Sequence, residues 1–390
     1  MFRVQSKNSL NIKSAGLIQP ESLRGKRIIV RCDFNVPISG KGEILDTTRI
    51  TGTYRTLNYL KNSGAKIIIL SHIGRDPEAT LKPVYEYLKK TYKVTFSEEL
   101  CFPDCKKTIN NIDNGEIVLF ENIRQHKGET ENDPAFAKLL ASLGQIYVNE
   151  AFSVSHREHA SIVGIPEYIP SFVGLHFQDE IDNLSKVFEP EHPFLVLMGG
   201  AKFNTKINLI EVLDKKADHI FIGGALSNDI YRARGLHIGN SKVSEIDESV
   251  IKKFMNLEKV SVPVDVEVLN KEKKNTVKPA NNIKEDETIV DGGPETFKIL
   301  EKQINSAKMI IWNGPFGLYE DGYDFLTRKV AKAIGKSSAF SIVGGGDTLT
   351  EISRRGNHDD YDFVSLGGGA MLEFISNGTL VGIEAIENGF

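Results

Sequence analysis

Two sets of residues in this sequence could do chemistry, and they lie in different halves of the chain. The first is cationic. It runs through Asp33-Phe34-Asn35, Arg49, Ser71-His72-Ile73-Gly74-Arg75, Glu121-Asn122-Ile123-Arg124, Asn149-Glu150-Ala151-Phe152 and His156-Arg157. Arg49, Arg75, Arg124 and Arg157 converging with His72 would form an anion site, because the guanidinium fork matches carboxylate and phosphate oxygens. The second set is rich in glycine: Gly199-Gly200-Ala201-Lys202, Gly223-Gly224-Ala225, Gly292-Gly293-Pro294, Asn313-Gly314-Pro315, Gly344-Gly345-Gly346-Asp347-Thr348 and Gly367-Gly368-Gly369-Ala370. Glycine lets backbone N–H groups approach a phosphate, and a following helix N-terminus adds a favourable dipole. Lys202 and Lys206, four apart, are expected on one face of a helix that begins at this edge. Asp347 and Thr348 offer oxygens for a hydrated Mg2+ beside a polyphosphate.

The segments before these loops explain why they should gather. Nine short apolar runs precede them: 27–31, 66–70, 117–120, 146–148, 194–198, 219–222, 309–312, 340–343 and 363–366. Continuous apolar strands alternating with helical patterns read as parallel sheets covered on both faces, and such sheets bind ligands beyond the carboxyl ends of their strands. Asp133 followed by Pro134 reads as the N-cap and first residue of one intervening helix. Pro166, Pro170, Pro190 and Pro193 bracket a helical stretch, 178–187, which reads as the connection between two α/β halves.

Bulk properties narrow the class. With 390 residues the chain is long enough for two or three domains. A net charge of −4 argues against a nucleic-acid or membrane-surface role, while local arginines can still build an anion pocket. Three cysteines, Cys32, Cys101 and Cys105, make no disulfide framework and fit a reducing, cytoplasmic compartment. Cys32, at the end of an apolar run, reads as a small buried residue. No run of 18 apolar residues exists, and the first 20 residues, with Arg3, Lys7 and Lys13, read as an N-terminal extension rather than a transit peptide. A Walker A sequence is absent, Leu349 breaks Gly-x-Gly-x-x-Gly after Gly344, and no nucleophile elbow occurs. No covalent nucleophile stands out, which suits direct in-line transfer.

The runs Arg31–Pro37, Ser71–Arg75, Phe120–Arg124, His156–Ser161, Gly199–Lys202, Gly293–Thr296, Trp312–Pro315, Gly344–Thr348 and Gly367–Ala370 together resemble the signatures of the phosphoglycerate kinase family, in the family's order. The resemblance implies two hinged Rossmann-like lobes: residues 1–176 with the tail 377–390 for phosphoglycerate, a connecting helix at 177–192, and residues 193–376 for the nucleotide. It implies Mg2+-dependent transfer of the acyl phosphate of 1,3-bisphosphoglycerate to ADP on lobe closure, by a monomer. Asp33, Phe34, Asn35, Arg49, His72, Ile73, Gly74, Arg75, Arg124 and Arg157 are then expected at the phosphoglycerate. Gly200, Ala201, Lys202, Lys206, Gly224, Asn313, Glu320 and Gly344 to Thr348 are expected at ATP or ADP, with Asp347 placing Mg2+. Arg49, Lys206, Gly345 and Gly368 are expected to stabilise the charge on the transferring group. The sequence departs from the family pattern at Asp76-Pro77-Glu78, at Ser153-Val154, at Leu366 and near Leu326-Thr327. A non-catalytic protein that keeps both pockets would share the same loops, and turnover separates the two readings.

Overall fold

All nine apolar runs coincide with strands, and burial on both faces keeps most of them apolar between their ends. In a computed structural model, which describes residues 13–390 except 77, 99–103, 245–249, 252–256 and 356–357, the chain forms two compact units. One comprises the chain up to Asp182 together with Asn377–Phe390, and the other Asn183–Ser376. Cys101, the side chain of Cys105 and the first twelve residues lie outside what is described.

The first unit holds a parallel sheet of β1 (Arg27–Arg31), β2 (Lys66–Leu70), β3 (Val94–Ser97), β4 (Ile117–Phe120), β5 (Ile146–Asn149) and β6 (Ser171–Val173), in the order β3-β4-β2-β1-β5-β6. Side chains alternate across a strand, so each run feeds two cores. Ile28, Val30, Ile67, Ile69, Ile117 and Leu119 pack on one side, and Ile29, Ile68, Leu70, Val118, Phe120 and Tyr147 on the other. Each such side chain contributes roughly 1.5–3 kcal/mol on burial, which leaves no position for a polar residue until the strand ends. Cys32 is buried. Asp133 caps helix Pro134–Ala141 by accepting from the Phe136 N–H at 2.7 Å. The C-terminal helix Val381–Asn388 also packs in this unit, and its Gly382 N–H donates to the Ser155 carbonyl at 2.9 Å.

The second unit holds β7 (Phe194–Met198), β8 (His219–Ile222), β9 (Val260–Ser261), β13 (Met309–Asn313), β14 (Phe340–Gly344) and β15 (Phe363–Ser365), parallel in the order β15-β14-β13-β7-β8-β9. Between β9 and β13 lies a small antiparallel sheet, β10 (Asp265–Leu269), β11 (Asn275–Pro279) and β12 (Thr288–Gly292), in the order β11-β10-β12.

That small sheet corrects one expectation. Gly292-Gly293 follows an antiparallel strand, not a strand of the main sheet. The helix it opens, Pro294–Ser306, already has an anion at its N-terminus. Asp265 accepts from the Glu295 and Thr296 N–H groups at 3.0 and 2.8 Å. A Cβ on Gly293 would lie 2.3 Å from that carboxylate. This glycine pair makes room for a cap rather than for a phosphate.

The connecting stretch is an α-helix over Leu175–Leu184 that tightens to a 3-10 turn over Ser185–Phe188. Glu150, at the end of β5, accepts from the His176 and Phe177 N–H groups in the first turn of that helix and from the Thr56 hydroxyl.

Candidate active site

At the carboxyl edge of the first sheet, β1 delivers Asp33 and the residues around it. Asp33 Oδ2 receives Arg49 Nη1 at 2.5 Å and the Ser153 hydroxyl, while Oδ1 takes the Asn35 N–H at 3.0 Å. His72 Nε2 stands 3.7 Å from the same Oδ1. Burial alone would raise the Asp33 carboxyl. The His72 ring, the Arg49 guanidinium, the Ser153 hydroxyl and the Asn35 amide outweigh it and hold Asp33 below the usual carboxylate range. His72 is pushed well below its ordinary value by burial and, against the pull of Asp33, by Arg31, Arg124 and Arg49. Its ring is therefore neutral at pH 7, and Arg49 is the standing charge partner of Asp33.

The loop after β2 is held open by side-chain bonds. Asn122 Nδ2 donates to the Ile73 and Ala79 carbonyls at 3.0 and 2.9 Å, and Glu121 accepts from Thr80 Oγ1 at 2.5 Å and from the Leu81 N–H at 2.7 Å. Asn35 Oδ1 accepts from the Gly74 N–H at 2.9 Å, and Arg124 Nη1 donates to the Gly74 carbonyl at 2.7 Å. Arg124 Nε is buried and has no hydrogen-bond partner among the described residues. Burial, then Arg31 and Arg157, pull its pKa down to about 10. A cation weakened by other cations is the mark of a site that wants an anion.

Of the residues expected here, Asp33, Asn35, Arg49, His72, Gly74 and Arg124 are drawn together. Arg75 and Arg157 are exposed at the ends of their loops. Phe34 and Ile73 are core residues, 0 % and 5 % exposed, so only their main chain faces the loops. Arg31 was not singled out by the sequence, yet it is fully buried under His72. A basic residue closing an otherwise apolar strand was the available signal. Ser153, which departs from the family pattern, turns out to donate to Asp33.

At the edge of the second sheet the material is backbone. The Gly200 N–H donates to the Pro315 carbonyl at 2.8 Å and the Gly199 N–H to the Asn313 carbonyl at 2.9 Å, which ties the loops after β7 and β13 together. Gly345 sits at φ +102, a conformation side chains avoid, with Asn313 and Thr348 closing over the place a Cβ would take. Helices Gly346–Arg355 and Gly369–Asn377 begin at this edge, and their first N–H groups have no intrahelical acceptor. The Thr348 hydroxyl is buried and accepts from the Gly314 N–H at 2.8 Å, so it fixes the loop. Asp347 and Glu320 are exposed, and Tyr319 lies against both carboxylates. Thr327 Oγ1 accepts from the Phe316 N–H at 2.9 Å and anchors the same loop.

The expected pairing of Lys202 and Lys206 on one helix face does not occur. A 3-10 turn, Phe203–Thr205, separates them, and the α-helix starts only at Ile207. With three residues per turn the two side chains diverge. Lys202 is exposed. Lys206 is buried, its Nζ donating to the Gly199 carbonyl at 2.6 Å, to Asn313 Oδ1 at 2.9 Å and to the Asn313 carbonyl at 3.1 Å. Burial pulls its pKa down to about 8, and Asp347 works in the opposite direction.

Among the described residues no group of three or more His, Cys, Asp or Glu could hold a metal by itself. One exposed carboxylate at a helix N-terminus suits Mg2+, which takes one or two carboxylates and completes its shell with water and substrate phosphates. The donor set at Asp347 therefore fits a cation that arrives with a nucleotide.

The chain is similar to proteins of one family over nearly its whole length. The family model described as phosphoglycerate kinase matches residues 18–378. The phosphoglycerate kinase of Pseudothermotoga lettingae is 39% identical over 389 residues, covering 95% of this chain and 98% of that protein. That of Aquifex aeolicus is 37% identical over 378 residues, covering 91% and 94%. The structure of phosphoglycerate kinase from Coxiella burnetii superposes with a TM-score of 0.84 at 33% identity, over 97% of this chain and 99% of that one. That from Pyrococcus horikoshii OT3 gives 0.82 at 26% identity, over 94% and 96%.

Proposed function

The chain belongs to the phosphoglycerate kinase family, and we propose that its two sheet edges divide the substrates of that reaction between them. The protein is a phosphotransferase that moves the acyl phosphate of 1,3-bisphosphoglycerate to ADP, reversibly and with Mg2+, to give 3-phosphoglycerate and ATP. On this reading residues 1–176 with 377–390 form the phosphoglycerate lobe, 177–192 the connection, and 193–376 the nucleotide lobe. Among the described residues no helix is long and apolar enough to cross a membrane. We read the protein as a cytoplasmic monomer.

The phosphoglycerate presents a carboxylate, or its acyl phosphate, and a second phosphate. Arg49 and Arg124 supply guanidinium forks, and Asp33 and Asn35 hold Arg49 and Gly74 in place. Arg75 and Arg157 stand at loop ends where they can meet the more distant phosphate. On the other edge Gly200, Ala201, Gly224 and Gly344 to Gly346 bring main chain up to the nucleotide, with Lys202 at the rim and Glu320 for the ribose. When bound, Mg2+ draws charge from the nucleotide phosphates, with Asp347 as its protein ligand.

The transferring group carries charge that must be met without a proton transfer, since the leaving carboxylate is stable as an anion. Arg49 and Lys206 are cations for that purpose, and the amides at Gly345 and Gly368 add donors at helix N-termini. Lys206 is held by three oxygens, so its ammonium is oriented before substrate arrives.

The observation that carries this reading is Arg124: a half-buried guanidinium beside two other arginines, with its buried Nε unmatched among the described residues. Coupled assay of ATP formation tests it. Wild-type protein should transfer phosphate from 1,3-bisphosphoglycerate to ADP with Mg2+ present. Binding of both substrates without turnover would instead support a protein that kept its pockets and lost the reaction.

A further inference from the structure

Beneath the arginine edge lies a chain of buried polar groups that the reaction described above does not use. Glu129 is fully buried and comes from the short helix Lys127–Thr130. Its Oε2 accepts from the Ser161 N–H at 2.9 Å and its Oε1 from the Ser161 hydroxyl at 2.6 Å. With its one proton spent on Glu129, Ser161 Oγ can only accept, and it does so from Arg31 Nε at 2.8 Å. Arg31 Nη1 donates to the Cys32 carbonyl, and Nη2 reaches His72 Nδ1 at 3.2 Å. Arg31 and Glu129 are 3.9 Å apart. His159 Nδ1 lies 3.7 Å from Glu129 Oε1, and the Arg124 charge also acts on Glu129.

Arginine has five donors and no acceptor. His72 Nδ1 must therefore be the bare nitrogen of a neutral ring, and Nε2 must carry the hydrogen. Nε2 is the atom that looks toward Asp33 Oδ1. We propose that Glu129, acting through Ser161 and Arg31, is a positioning residue that locks His72 in its Nε2–H tautomer, so that the ring offers a hydrogen-bond donor at the substrate edge. A neutral imidazole free to choose would present a lone pair there part of the time, and a lone pair repels an anion. The relay removes that choice without requiring a charged ring. It rests on the reading that this edge takes phosphoglycerate.

Glu129→Gln tests the relay. A carboxylate accepts from both Ser161 donors, but an amide has one oxygen and turns an NH2 toward the other donor. Long-range 1H–15N spectra of the uniformly labelled full chain, assigned with His72→Gln, read the tautomer without substrate. Wild type should show a bare Nδ1 and a protonated Nε2. Glu129→Gln should show the two tautomers averaged, with the KM for 3-phosphoglycerate raised about tenfold and that for ATP unchanged. Ser161→Ala, which keeps the Glu129 charge and removes the hydroxyl link, should do the same to a smaller degree. A wild-type His72 protonated on Nδ1 overturns the relay, even if both variants fail to fold. So does a Glu129→Gln protein whose His72 signals match wild type. Because the tautomer is read without substrate, its failure is separate from failure of the substrate reading, which the transfer assay decides.

Discussion

The two sheet edges share an architecture and use opposite materials. The edge of β1, β2, β4 and β5 is built from side chains: Asp33, Arg49, His72 and Arg124, each fixed by a partner. The edge of β7, β13 and β14 is built from main chain, with Lys206 as its one buried cation among the described residues. The contrast teaches how each site gets its selectivity. Guanidinium forks read the shape and charge of a small acid from several directions. Amides at helix starts take phosphate chains, and they need glycine because the backbone itself must come close. The first edge should fail when a side chain is shortened, and the second, Lys206 apart, when one is lengthened.

The largest effect expected from that contrast is Arg49→Ala. It removes the charge paired with Asp33 and leaves a buried carboxylate at the substrate edge. Turnover in the coupled assay should fall on the order of a hundredfold or more. Next is Gly345→Val on the other edge. At φ +102 a β-branched residue is strained, and ADP affinity by calorimetry should drop about tenfold, with 3-phosphoglycerate affinity unchanged.

A smaller effect concerns pH. Lys206 is held near pKa 8, so the free protein carries the ammonium below about pH 8 and loses it above. ADP affinity should therefore fall as pH rises through about 8. In Lys206→Arg that step should vanish, because the guanidinium stays charged, even if affinity is lower throughout. A pH profile of identical shape in both proteins would remove Lys206 from the charge account. The smallest effect is Lys202→Ala. Its side chain is exposed, and nucleotide affinity should change by less than about threefold. An effect equal to that of Lys206 would restore the paired-lysine picture that the 3-10 turn contradicts.

The difference between the edges also decides what could be read from sequence. The nine strands were legible because burial on both faces leaves uninterrupted apolar runs. β3, with Val94-Thr95-Phe96-Ser97, β6, β9 and the small sheet β10–β12 were not, because very short or half-exposed strands blend with loop composition. Arg49, His72 and Arg124 were visible as residue types at strand ends. Arg31 was passed over because a basic residue at the end of a strand reads as the start of a solvent-facing loop. On the glycine edge the sequence showed which loops were permissive but not what filled them. Gly293 makes room for the Asp265 cap, and Gly345 for a loop turn. The Lys202/Lys206 spacing assumed an α-helical pitch that the backbone does not follow there.

Crossed titration calorimetry bears most directly on the claim that the edges divide the substrates. Arg124→Ala and Lys206→Ala would each be titrated with 3-phosphoglycerate and with ADP in the presence of Mg2+. Arg124→Ala should lose 3-phosphoglycerate binding and keep that of ADP, and Lys206→Ala should do the reverse. Loss of ADP binding in Arg124→Ala, with 3-phosphoglycerate still bound as in wild type, would contradict the division.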